Sequence, residues 1–409
     1  MIKYNNTSPL PKILCFVGNY LPGFKAGGTI RTIANMVSEL NDTFEFLIVT
    51  RDRDLSDTVP YQNILINKWN NVGLAKVFYA SPSTLSFIGV MRLMRDTQHD
   101  ILYLNSFFSP FVTILPLIIR RIMLYGKKPV VIAPRGEFSS GALALKATKK
   151  KFYCFFAKFA GIYRNLIWQA SSDFELEDIR RMMLKFMKAP NVLIAPDILQ
   201  KSILSPELRE SFFFRHRMTG PLRAVFLSRI SPKKNLDFLL RALIKVNFPV
   251  ELSLYGPIED SKYWSLCMSL MRYLPSHIAV TYKGEVIYEH VAATFAAHDL
   301  FIFPTRGENF GHVIYESLVV GTAVIVSDQT PWKTDPQGAV EVLALENLDV
   351  WTAVINDRAC FNNQAYAKQR IAVQHYMQTY LATSQALEQN RNLFFSALGN
   401  SPSHCSITV

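Results

Sequence analysis

The sequence alternates short runs of aliphatic, β-branched and aromatic residues with longer amphipathic segments. Runs of four to seven such residues are typical of strands buried in a parallel sheet, and the segments between them are typical of covering helices. The predicted strands are residues 12–18, 44–50, 101–106, 129–134, 191–196, 223–229, 250–256, 278–284, 299–305 and 323–327. This alternation predicts an α/β fold built from doubly wound parallel sheets.

The length of the chain predicts two domains. A chain of 409 residues exceeds what one hydrophobic core usually holds. Residues 198–220 lack strand signals and are rich in charge, so they are interpreted as a linker. We therefore expect one Rossmann-like domain over residues 1–200 and a second over residues 201–384. A helical pattern at about 385–400 is expected to pack back on the first domain, and the polar tail that follows is expected to be disordered.

Hydropathy and cysteine spacing indicate the cellular compartment in which the protein is expected. No run of 18 or more apolar residues occurs, which argues against a membrane-spanning helix. The first residues lack the apolar core and cleavage site of a secretory signal. The five cysteines are scattered and form no CxxC pair, which favours a reducing cytoplasm and predicts no metal site.

The net charge of +12 is unevenly distributed. Residues 1–200 contain 25 Lys and Arg against 14 Asp and Glu, whereas the remainder contains 19 against 18. A positive field favours anionic partners such as phospholipid, a lipid diphosphate or nucleic acid; a basic surface kept for solubility is the alternative. No zinc knuckle, RNA-recognition signature or basic helix-turn-helix is apparent, so nucleic acid is not an expected partner.

A glycine pair follows the first predicted strand. Ligands of open parallel sheets bind beyond the carboxyl ends of strands. In "NYLPGFKAGG", Gly27 and Gly28 precede a helix predicted from near Thr29, where backbone N–H groups can approach an anion. A flexible turn without a ligand is the alternative. The glycines match neither the dinucleotide-binding spacing nor a P-loop.

Two aspartates follow the second predicted strand. Asp52 and Asp54 could be interpreted as a metal-binding carboxylate pair. Because Arg51 and Arg53 flank them, we expect a solvated loop instead.

Two cations follow the first strand of the second domain. "SRISPKKN" places Arg229 at the strand end and Lys234 just before a helix that opens at Asn235. Such cations can neutralise a diphosphate leaving group, although a pair of surface cations would have the same spacing. Gly256 ends the next strand, where backbone could pack against a flat nucleobase.

The segment "GENFGHVIYESLVVG" carries Glu308 and Glu316, eight positions apart. In one continuous helix these carboxylates would be turned about 80° from each other. Pro304 and Gly307 end the preceding strand, and a helix is predicted from about His312. Glu308 is therefore expected in a loop and Glu316 in a helix, both facing one site.

These motifs carry a family resemblance. The two-glutamate segment and "SRISPKKNLDFLLRAL" upstream resemble glycosyltransferase family 4, and "APRGEFSSGALALKATKK" with the glycine pair is similar to the first domain of that family. The resemblance spans nearly the whole chain. It implies a GT-B fold, with two Rossmann-like domains facing each other across a cleft. It also implies a retaining enzyme that uses a UDP-, GDP- or ADP-sugar and needs neither a metal ion nor a cofactor.

The resemblance also implies roles for individual residues. Glu308 would bind hydroxyls of the donor sugar, Glu316 would bind the ribose, and Arg229 with Lys234 would hold the diphosphate. Backbone N–H groups that would assist come from Gly27, Gly28, Phe310, Gly311 and His312.

One position departs from the family pattern. Many relatives have a histidine near the sugar in the loop after the fourth strand of the first domain, where this chain reads "YLNSFFS". Tyr103 and Asn105 occupy the corresponding positions. Asn105 can bond a sugar hydroxyl but cannot act as a base. Arg135 and Glu137 in "PRGEF" end another strand and are expected near the acceptor.

A basic, aromatic segment runs from Ala144 to Trp168. It has six aromatics between Phe152 and Tyr163, and its cations are Lys146, Lys149, Lys150, Lys151, Lys158 and Arg164. Such a helix can lie on an anionic membrane and would bring the first domain to a lipid-linked acceptor at the inner face of the plasma membrane. A helix that packs its aromatics inward and solvates its lysines is the alternative.

The function expected from the resemblance is sugar transfer to a glycan or polyprenyl-diphosphate-linked acceptor in surface polysaccharide biosynthesis. That class includes lipopolysaccharide, exopolysaccharide and capsule. A GT-B-fold nucleotide-sugar epimerase and a non-catalytic protein that binds sugar or anionic lipid are the alternatives.

Overall fold

The computed structural model describes residues 9–122, 128–139, 143, 147–184, 190–199 and 220–399. The chain divides into two compact units. The N-terminal unit comprises Met1–Gln200 with Gln385–Val409, and the C-terminal unit comprises Lys201–Ser384. Most of the predicted linker and the predicted disordered tail lie outside the described residues.

The described part of the N-terminal unit contains an eight-stranded sheet. Its strands are β1 (Lys12–Phe16), β2 (Glu45–Arg51), β3 (Trp69–Val72), β4 (Ala75–Ala80), β5 (Ile101–Leu104), β6 (Val130–Ile132), β7 (Ile167–Ala170) and β8 (Asn191–Ile194). Their spatial order is β3-β4-β2-β1-β5-β6-β7-β8. Neighbours are parallel except β3 and β4, which are antiparallel. The strand order reverses between β1 and β5, which makes their carboxyl ends the switch point of this sheet.

Amphipathic helices cover this sheet. They are α1 (Gly28–Leu40), α2 (Phe87–Asp96), α3 (Leu115–Ile122), α4 (Ala147–Ala160) and α5 (Asp173–Met183), with a π-helical turn at Pro110–Ile114. In α1 the buried Ile30, Ile33 and Val37 recur at helical spacing and pack on the sheet. The start of α5 follows its sequence signal, because the side chain of Ser172 accepts a hydrogen bond from the N–H of Glu175 at 3.2 Å.

The C-terminal unit contains a six-stranded, wholly parallel sheet within its described residues. Its strands are β9 (Leu222–Leu227), β10 (Val250–Tyr255), β11 (Ile278–Tyr282), β12 (Leu300–Phe303), β13 (Ala323–Ser327) and β14 (Val340–Leu343). The order is β11-β10-β9-β12-β13-β14. The strands β12 and β13 are completely buried, as their continuous apolar sequences require. The strand order reverses between β9 and β12, so the switch point lies at their carboxyl ends.

Helices alternate with these strands. They are α6 (Leu236–Ile244), α7 (Ser261–Met271), α8 (Tyr288–Ala296), α9 (His312–Val319), α10 (Leu348–Ala359) and α11 (Asn363–Thr383). No helix in the described ranges combines the length and hydropathy needed to cross a bilayer.

The last helix, α12 (Ala386–Ala397), belongs to the N-terminal unit. The ring of Phe394 meets Phe44 and Tyr103 edge-on, with ring centroids 5.4 Å and 5.3 Å apart. The amide of Asn390 donates to the carbonyl oxygen of Pro196 at 2.6 Å. Apolar and polar contacts therefore both hold α12 on this unit.

Four strands were not predicted from the sequence: β3, β4, β7 and β14. The strands β3 and β14 lie at sheet edges and are only partly buried, so they lack a continuous apolar run. The apolar sequence of β7 is interrupted by Gln169. The buried amide of Gln169 donates to the carbonyl oxygen of Ala195 at 2.8 Å and accepts from the hydroxyl of Tyr103 at 2.5 Å. The strand β4 does carry an apolar run, "VFYA", which is a strand signal in the sequence.

Candidate functional site

Two loops lie together at the switch point of the C-terminal sheet. One follows β9 and leads through α6 to β10, and the other follows β12 and leads through α9 to β13. Because β10 and β13 lie on opposite sides of the β9–β12 pair, the chain leaves these two strands in divergent directions. Open α/β sheets bind ligands at this kind of position.

Hydrogen bonds join the two loops directly. The N–H of Arg306 donates to the carbonyl of Lys233 at 2.8 Å. The guanidinium of Arg306 donates from Nε and Nη2 to Oδ1 of Asn235, at 3.0 and 2.8 Å. Asn235 has a φ of +62°, a left-handed conformation that asparagine tolerates better than most residues. The geometry of one loop therefore depends on the other.

The loop after β12 is also held by the end of β13. The hydroxyl of Ser327 donates to the carbonyl of Thr305 at 2.5 Å, and the N–H of Glu308 donates to the carbonyl of Gln329 at 3.0 Å. Glu308 therefore leaves the loop from backbone that is fixed on two sides.

Lys234 and Glu308 form the ion pair at the centre of this site. Nζ of Lys234 donates a hydrogen bond to Oε1 of Glu308, and the two side chains are 10% and 16% exposed. The same ammonium lies 5.3 Å from the ring centroid of Phe303. The predicted loop position of Glu308 and the predicted position of Lys234 before a helix thus bring the two side chains into contact.

Opposing effects set the ionisation of this pair. Burial acts to raise the pKa of Glu308, but the charges of Lys234 and Lys233 outweigh it and hold the pKa below its usual value of 4.5. Burial, assisted by the charge of Lys234, lowers the pKa of Lys233. Two lysines and one carboxylate therefore leave this small volume with a net positive charge.

Arg229 lies at the end of β9 as predicted, but it pairs elsewhere. Its Nη1 donates to Oε1 of Glu259 at 2.8 Å, with the side chains 34% and 42% exposed. An exposed pair of this kind contributes little stability, so the guanidinium can exchange partners at low cost.

Gly256 has a backbone-packing role beside this arginine. Its φ is +126°, and a Cβ there would lie 2.0 Å from the carbonyl oxygen of Ser228. Only glycine allows the ends of β9 and β10 to approach this closely.

The helix α9 begins where the sequence predicts, at His312. Gly311 is its N-cap residue with a φ of +81°, and it has no side chain with which to cap the helix. Phe310 is buried, and its carbonyl accepts a hydrogen bond from Nε1 of Trp332 at 2.6 Å. Glu316 lies one turn into α9 and is buried. The helix start that follows Glu308 is therefore anchored by packing rather than by a capping side chain.

Three residues of this arrangement were not predicted as site residues from the sequence: Lys233, Asn235 and Arg306. Lys233 and Asn235 flank Lys234 in "PKKN", and Arg306 lies in "TRGE" directly before the glutamate motif. Their proximity in sequence was a usable signal, but the bond between Arg306 and Asn235 joins residues 71 positions apart and could not be inferred from spacing.

In the N-terminal unit, Asn105 lies at the switch point after β5 and is buried. Its Oδ1 accepts hydrogen bonds from Nε and Nη2 of Arg135, at 3.1 and 2.9 Å. Arg135 has a φ of +54° and also donates to Oδ1 of Asp197 at 3.0 Å and to the hydroxyl of Tyr103 at 2.6 Å. Asn105 thus contributes to a polar network that fixes the guanidinium of Arg135.

Glu137 organises the same loop. Its carboxylate accepts from the hydroxyl of Ser106 at 2.8 Å and from the N–H groups of Phe107 and Phe108, at 2.6 and 2.9 Å. Three hydrogen bonds from one short segment give this carboxylate a structural role in shaping the loop after β5.

The prediction of a solvated loop at Asp52 and Asp54 was wrong, since both are buried. Asp52 pairs with Nε of Arg53 at 2.8 Å. Asp54 accepts hydrogen bonds from the N–H groups of Phe24 and Lys25, at 2.8 and 3.1 Å. Asp54 therefore holds the loop of residues 19–27, the glycine-rich loop, from about 30 positions away in sequence. Such a long-range contact cannot be inferred from the arginines next to Asp54.

The glycine-rich loop leads into α1 as predicted. The helix begins at Gly28, and Gly27 is its N-cap residue with a φ of +67° and open space where a Cβ would lie. Within the described ranges, no group of three or more His, Cys, Asp and Glu side chains could hold a metal ion.

The helix α4 does not pack all its aromatics inward, as the alternative interpretation of the basic segment required. Tyr163, just after the helix, is buried and stacks on Phe107, with ring centroids 4.5 Å apart. Exposed rings are found at Phe152, Phe155, Phe156 and Phe159. Residues 144–146 of the predicted segment lie outside the described residues.

Part of the C-terminal unit is similar in sequence to a known family. Residues 221–346 match the family model of "Glycosyl transferases group 1", a range that includes the Lys234–Glu308 pair. The O-antigen chain mannosyltransferase B of Escherichia coli is 29% identical over 113 residues, which are 26% of this chain and 29% of that relative. The match thus spans less than a third of the length of the curated relative.

Structural comparisons cover nearly the whole chain. The sucrose-phosphate synthase of Thermosynechococcus elongatus has a TM-score of 0.69 and 15% identity, over 96% of this chain and 100% of that one. The chain has the GT-B fold. A second similar structure is that of the Anabaena protein HepE in complex with UDP and glucose. It has a TM-score of 0.67 and 14% identity, over 94% of this chain and 99% of that one. The GT-B fold, with its two parallel-sheet α/β domains, was predicted correctly from the sequence.

Proposed function

We propose that the protein is a retaining glycosyltransferase of the family 4 type. It would move a sugar from a nucleotide-diphosphate sugar to a glycan or polyprenyl-diphosphate-linked acceptor. The observation that carries the proposal is the Lys234–Glu308 pair at the β9–β12 switch point. Binding a diphosphate requires a cation, and binding a sugar requires a fixed group that accepts hydrogen bonds from its hydroxyls. Lys234 supplies the cation and Glu308 the acceptor, and the two side chains are in contact.

The charges explain how the pair would act. An ammonium has three N–H donors, and Lys234 directs one of them to Glu308, so two remain for diphosphate oxygens. As the bond between the anomeric carbon and the diphosphate breaks, negative charge grows on the leaving oxygen, and Lys234 and Arg229 would stabilise it. Glu308 would accept hydrogen bonds from the donor sugar and hold the ring against the diphosphate.

Retention would follow from attack by the acceptor on the face from which the nucleotide leaves. In that geometry the leaving diphosphate oxygen takes the proton of the acceptor hydroxyl, and no step requires a metal ion. Glu316 would bind the ribose, and N–H groups around Gly311 would add to the positive potential at the diphosphate. Gly256 would shape the surface beside the nucleobase.

The comparisons support particular substrates. The HepE structure contains UDP and glucose, which favours a UDP-sugar among the possible donors. The similarity to an O-antigen mannosyltransferase favours surface polysaccharide biosynthesis. We further propose that the reaction takes place at the cytoplasmic side of the plasma membrane and that the N-terminal unit receives the acceptor, near the loop that Asn105 and Arg135 shape.

A donor panel tests the proposal. Purified protein is incubated with UDP-, GDP- and ADP-sugars, and nucleotide diphosphate release and sugar composition are followed together. Release of one nucleotide diphosphate supports transfer, with the sugar passing to water when no acceptor is present. When an acceptor glycan is added, NMR of the glycosylated product reports whether the anomeric configuration of the donor sugar is retained. Interconversion of the sugar without release would identify an epimerase, and binding without either change would identify a non-catalytic sugar-binding protein.

The variant Glu308→Gln tests the assigned residue. It keeps the size of the side chain and removes the charge, so turnover is expected to fall on the order of 100-fold or more. The matched control is Glu251→Gln, which changes an exposed glutamate on β10 of the same unit. Turnover within a few-fold of wild type in Glu308→Gln would contradict the proposed role.

A further inference from the structure

The helix α4 exposes an apolar stripe to solvent. The side chains of Phe152, Phe155, Phe156 and Phe159 are 67%, 57%, 53% and 76% exposed. They form a continuous row, with ring centroids 4.7 Å apart for Phe152–Phe156, 5.5 Å for Phe155–Phe156 and 4.9 Å for Phe155–Phe159. A contiguous apolar patch exposed on a soluble protein often marks a binding surface.

The stripe lies on the face of α4 that points away from the core. At about 100° per residue, the four phenylalanines fall within an arc of about 100°. Tyr153 and the buried Ala157 lie on the other side, and the hydroxyl of Tyr153 bonds to that of Tyr163 at 2.5 Å. Packing inside the unit therefore fixes the helix and leaves the stripe outward, so the rings cannot turn into the core without breaking these contacts.

The charged residues of α4 itself have a single sign. The sequence of α4, "ATKKKFYCFFAKFA", contains four lysines and no acidic residue. Lys149 and Lys158 are exposed near its two ends, and Arg164 is exposed just beyond it. Lys150 is turned away from the stripe, and its ammonium lies over the ring of Phe108, 4.8 Å from the ring centroid. An apolar row bordered by cations is complementary to a surface that is apolar inside and negatively charged at its rim.

A second copy of this chain fits the stripe less well. Two copies that met through this face would bring the exposed Lys149 and Lys158 of both helices close together, with no acidic group on either helix to pair with them. An anionic bilayer instead offers acyl chains to the rings and, in the headgroup layer above them, phosphate groups to the lysines. The charge pattern therefore selects the bilayer.

We propose that the four-phenylalanine stripe of α4 is a membrane-docking surface that inserts into the interface of a bilayer containing anionic phospholipid. The rings enter the boundary between headgroups and acyl chains, and Lys149 and Lys158 bind lipid phosphates. This property goes beyond sugar transfer and holds whether or not the proposed donor chemistry is correct, because docking needs no nucleotide sugar.

Vesicle co-sedimentation tests the proposal with the full-length protein. Wild type is expected to sediment with vesicles of phosphatidylglycerol and phosphatidylcholine, more weakly with phosphatidylcholine alone, and less at high salt. Replacing all four phenylalanines by serine should weaken binding on the order of 100-fold or more, since the apolar part of the interaction is lost. Lys149→Gln with Lys158→Gln should weaken it roughly 25-fold, or about fivefold per charge.

The control variant is Tyr273→Ser with Ile371→Ser, which removes two large exposed side chains from the C-terminal unit, 73% and 64% exposed. It should sediment like wild type. All six replaced aromatic and aliphatic positions are exposed, and circular dichroism confirms that each variant is folded.

Three results would overturn the proposal. The first is wild type that stays in the supernatant with anionic vesicles. The second is a serine variant that sediments as well as wild type. The third is a concentration-dependent dimer in lipid-free buffer that the serine variant abolishes, since the occupant would then be a second copy of the chain.

Discussion

Replacing Lys234 by methionine should destabilise the C-terminal unit in a pH-dependent way. The substitution keeps a side chain of similar length and removes the ammonium that contacts Glu308. Breaking a buried ion pair typically lowers the free energy of unfolding by about 3–5 kcal/mol. Here we expect about 2–3 kcal/mol, because the two side chains are still 10% and 16% exposed and the charge of Lys233 remains nearby. For a unit of this size the loss corresponds to a fall in melting temperature of about 4–12 °C.

The pH dependence distinguishes this loss from a simple packing defect. In wild type the pKa of Glu308 is below its value in the unfolded chain, so its ionised form stabilises the fold above that unfolded value, and the stabilisation is lost as the pH falls through the folded pKa. In Lys234→Met the strongest opposing charge is gone, and burial should then raise the pKa above the unfolded value. The stability of the variant should therefore fall as the pH rises from 4.5 to 7.

Differential scanning calorimetry at pH 4.5 and pH 7 makes the measurement. The matched control is Lys245→Met in the same unit, since Lys245 pairs with Asp349 at 2.7 Å with the side chains 53% and 78% exposed. That variant should change stability by about 0.5 kcal/mol or less at either pH. The reasoning is refuted if Lys234→Met lowers the melting temperature no more than the control does, or lowers it equally at both pH values.

Three further perturbations have sharp expectations. Gly256→Ala should lower the free energy of unfolding by about 2–4 kcal/mol, because the new Cβ would lie 2.0 Å from the carbonyl oxygen of Ser228. The control Gly284→Ala has a φ of +82° and open space at the Cβ position, so it should lower the free energy of unfolding by only about 1–2 kcal/mol. Equal losses in thermal unfolding would contradict the clash. Asp54→Ala should cost about 1–3 kcal/mol and accelerate amide hydrogen exchange in the glycine-rich loop, and unchanged exchange would show that the loop is held by other contacts. Arg135→Lys should destabilise the N-terminal unit by about 2–4 kcal/mol in urea unfolding, since an ammonium cannot reproduce the forked hydrogen bonds of the guanidinium. A variant as stable as the wild type would exclude a structural role for that network.

The fold was predictable because its dominant signals are local. Continuous apolar runs such as those of β12 and β13 can be satisfied only inside a parallel sheet, and their alternation with helices fixed the fold class. The helix starts at Ser172 and His312 followed from a capping serine and from a glycine that ends a loop. Edge strands such as β3 were missed because an edge is half solvated and its sequence resembles a loop.

The site of the C-terminal unit was predictable for a different reason. In a parallel sheet, the residues that follow each strand gather at one edge, so Lys234 and Glu308 could be assigned to the same place from strand ends alone. The sequence could not predict that they are in direct contact, because that contact depends on the bond from Arg306 to Asn235 that joins their loops. Three-dimensional register, rather than residue identity, was the missing information.

In the N-terminal unit the position of Asn105 could be predicted from the strand end, but its hydrogen-bond partners could not. Both hydrogen bonds to its Oδ1 come from Arg135, and its Nδ2 lies 3.4 Å from the carbonyl oxygen of Phe16, so whether it also bonds a sugar hydroxyl stays a prediction. An effect of Asn105 on transfer would therefore be exerted through the position of Arg135, whose left-handed backbone is stable only while Asn105, Asp197 and Tyr103 hold the guanidinium. Since Tyr103 also donates to Gln169, whose amide in turn contacts Asn390 on α12 at 3.2 Å, the last helix contributes to the same network. The polar residue after β5 thus connects the core of its own unit to the switch-point loop, a role that depends on contacts far apart in sequence.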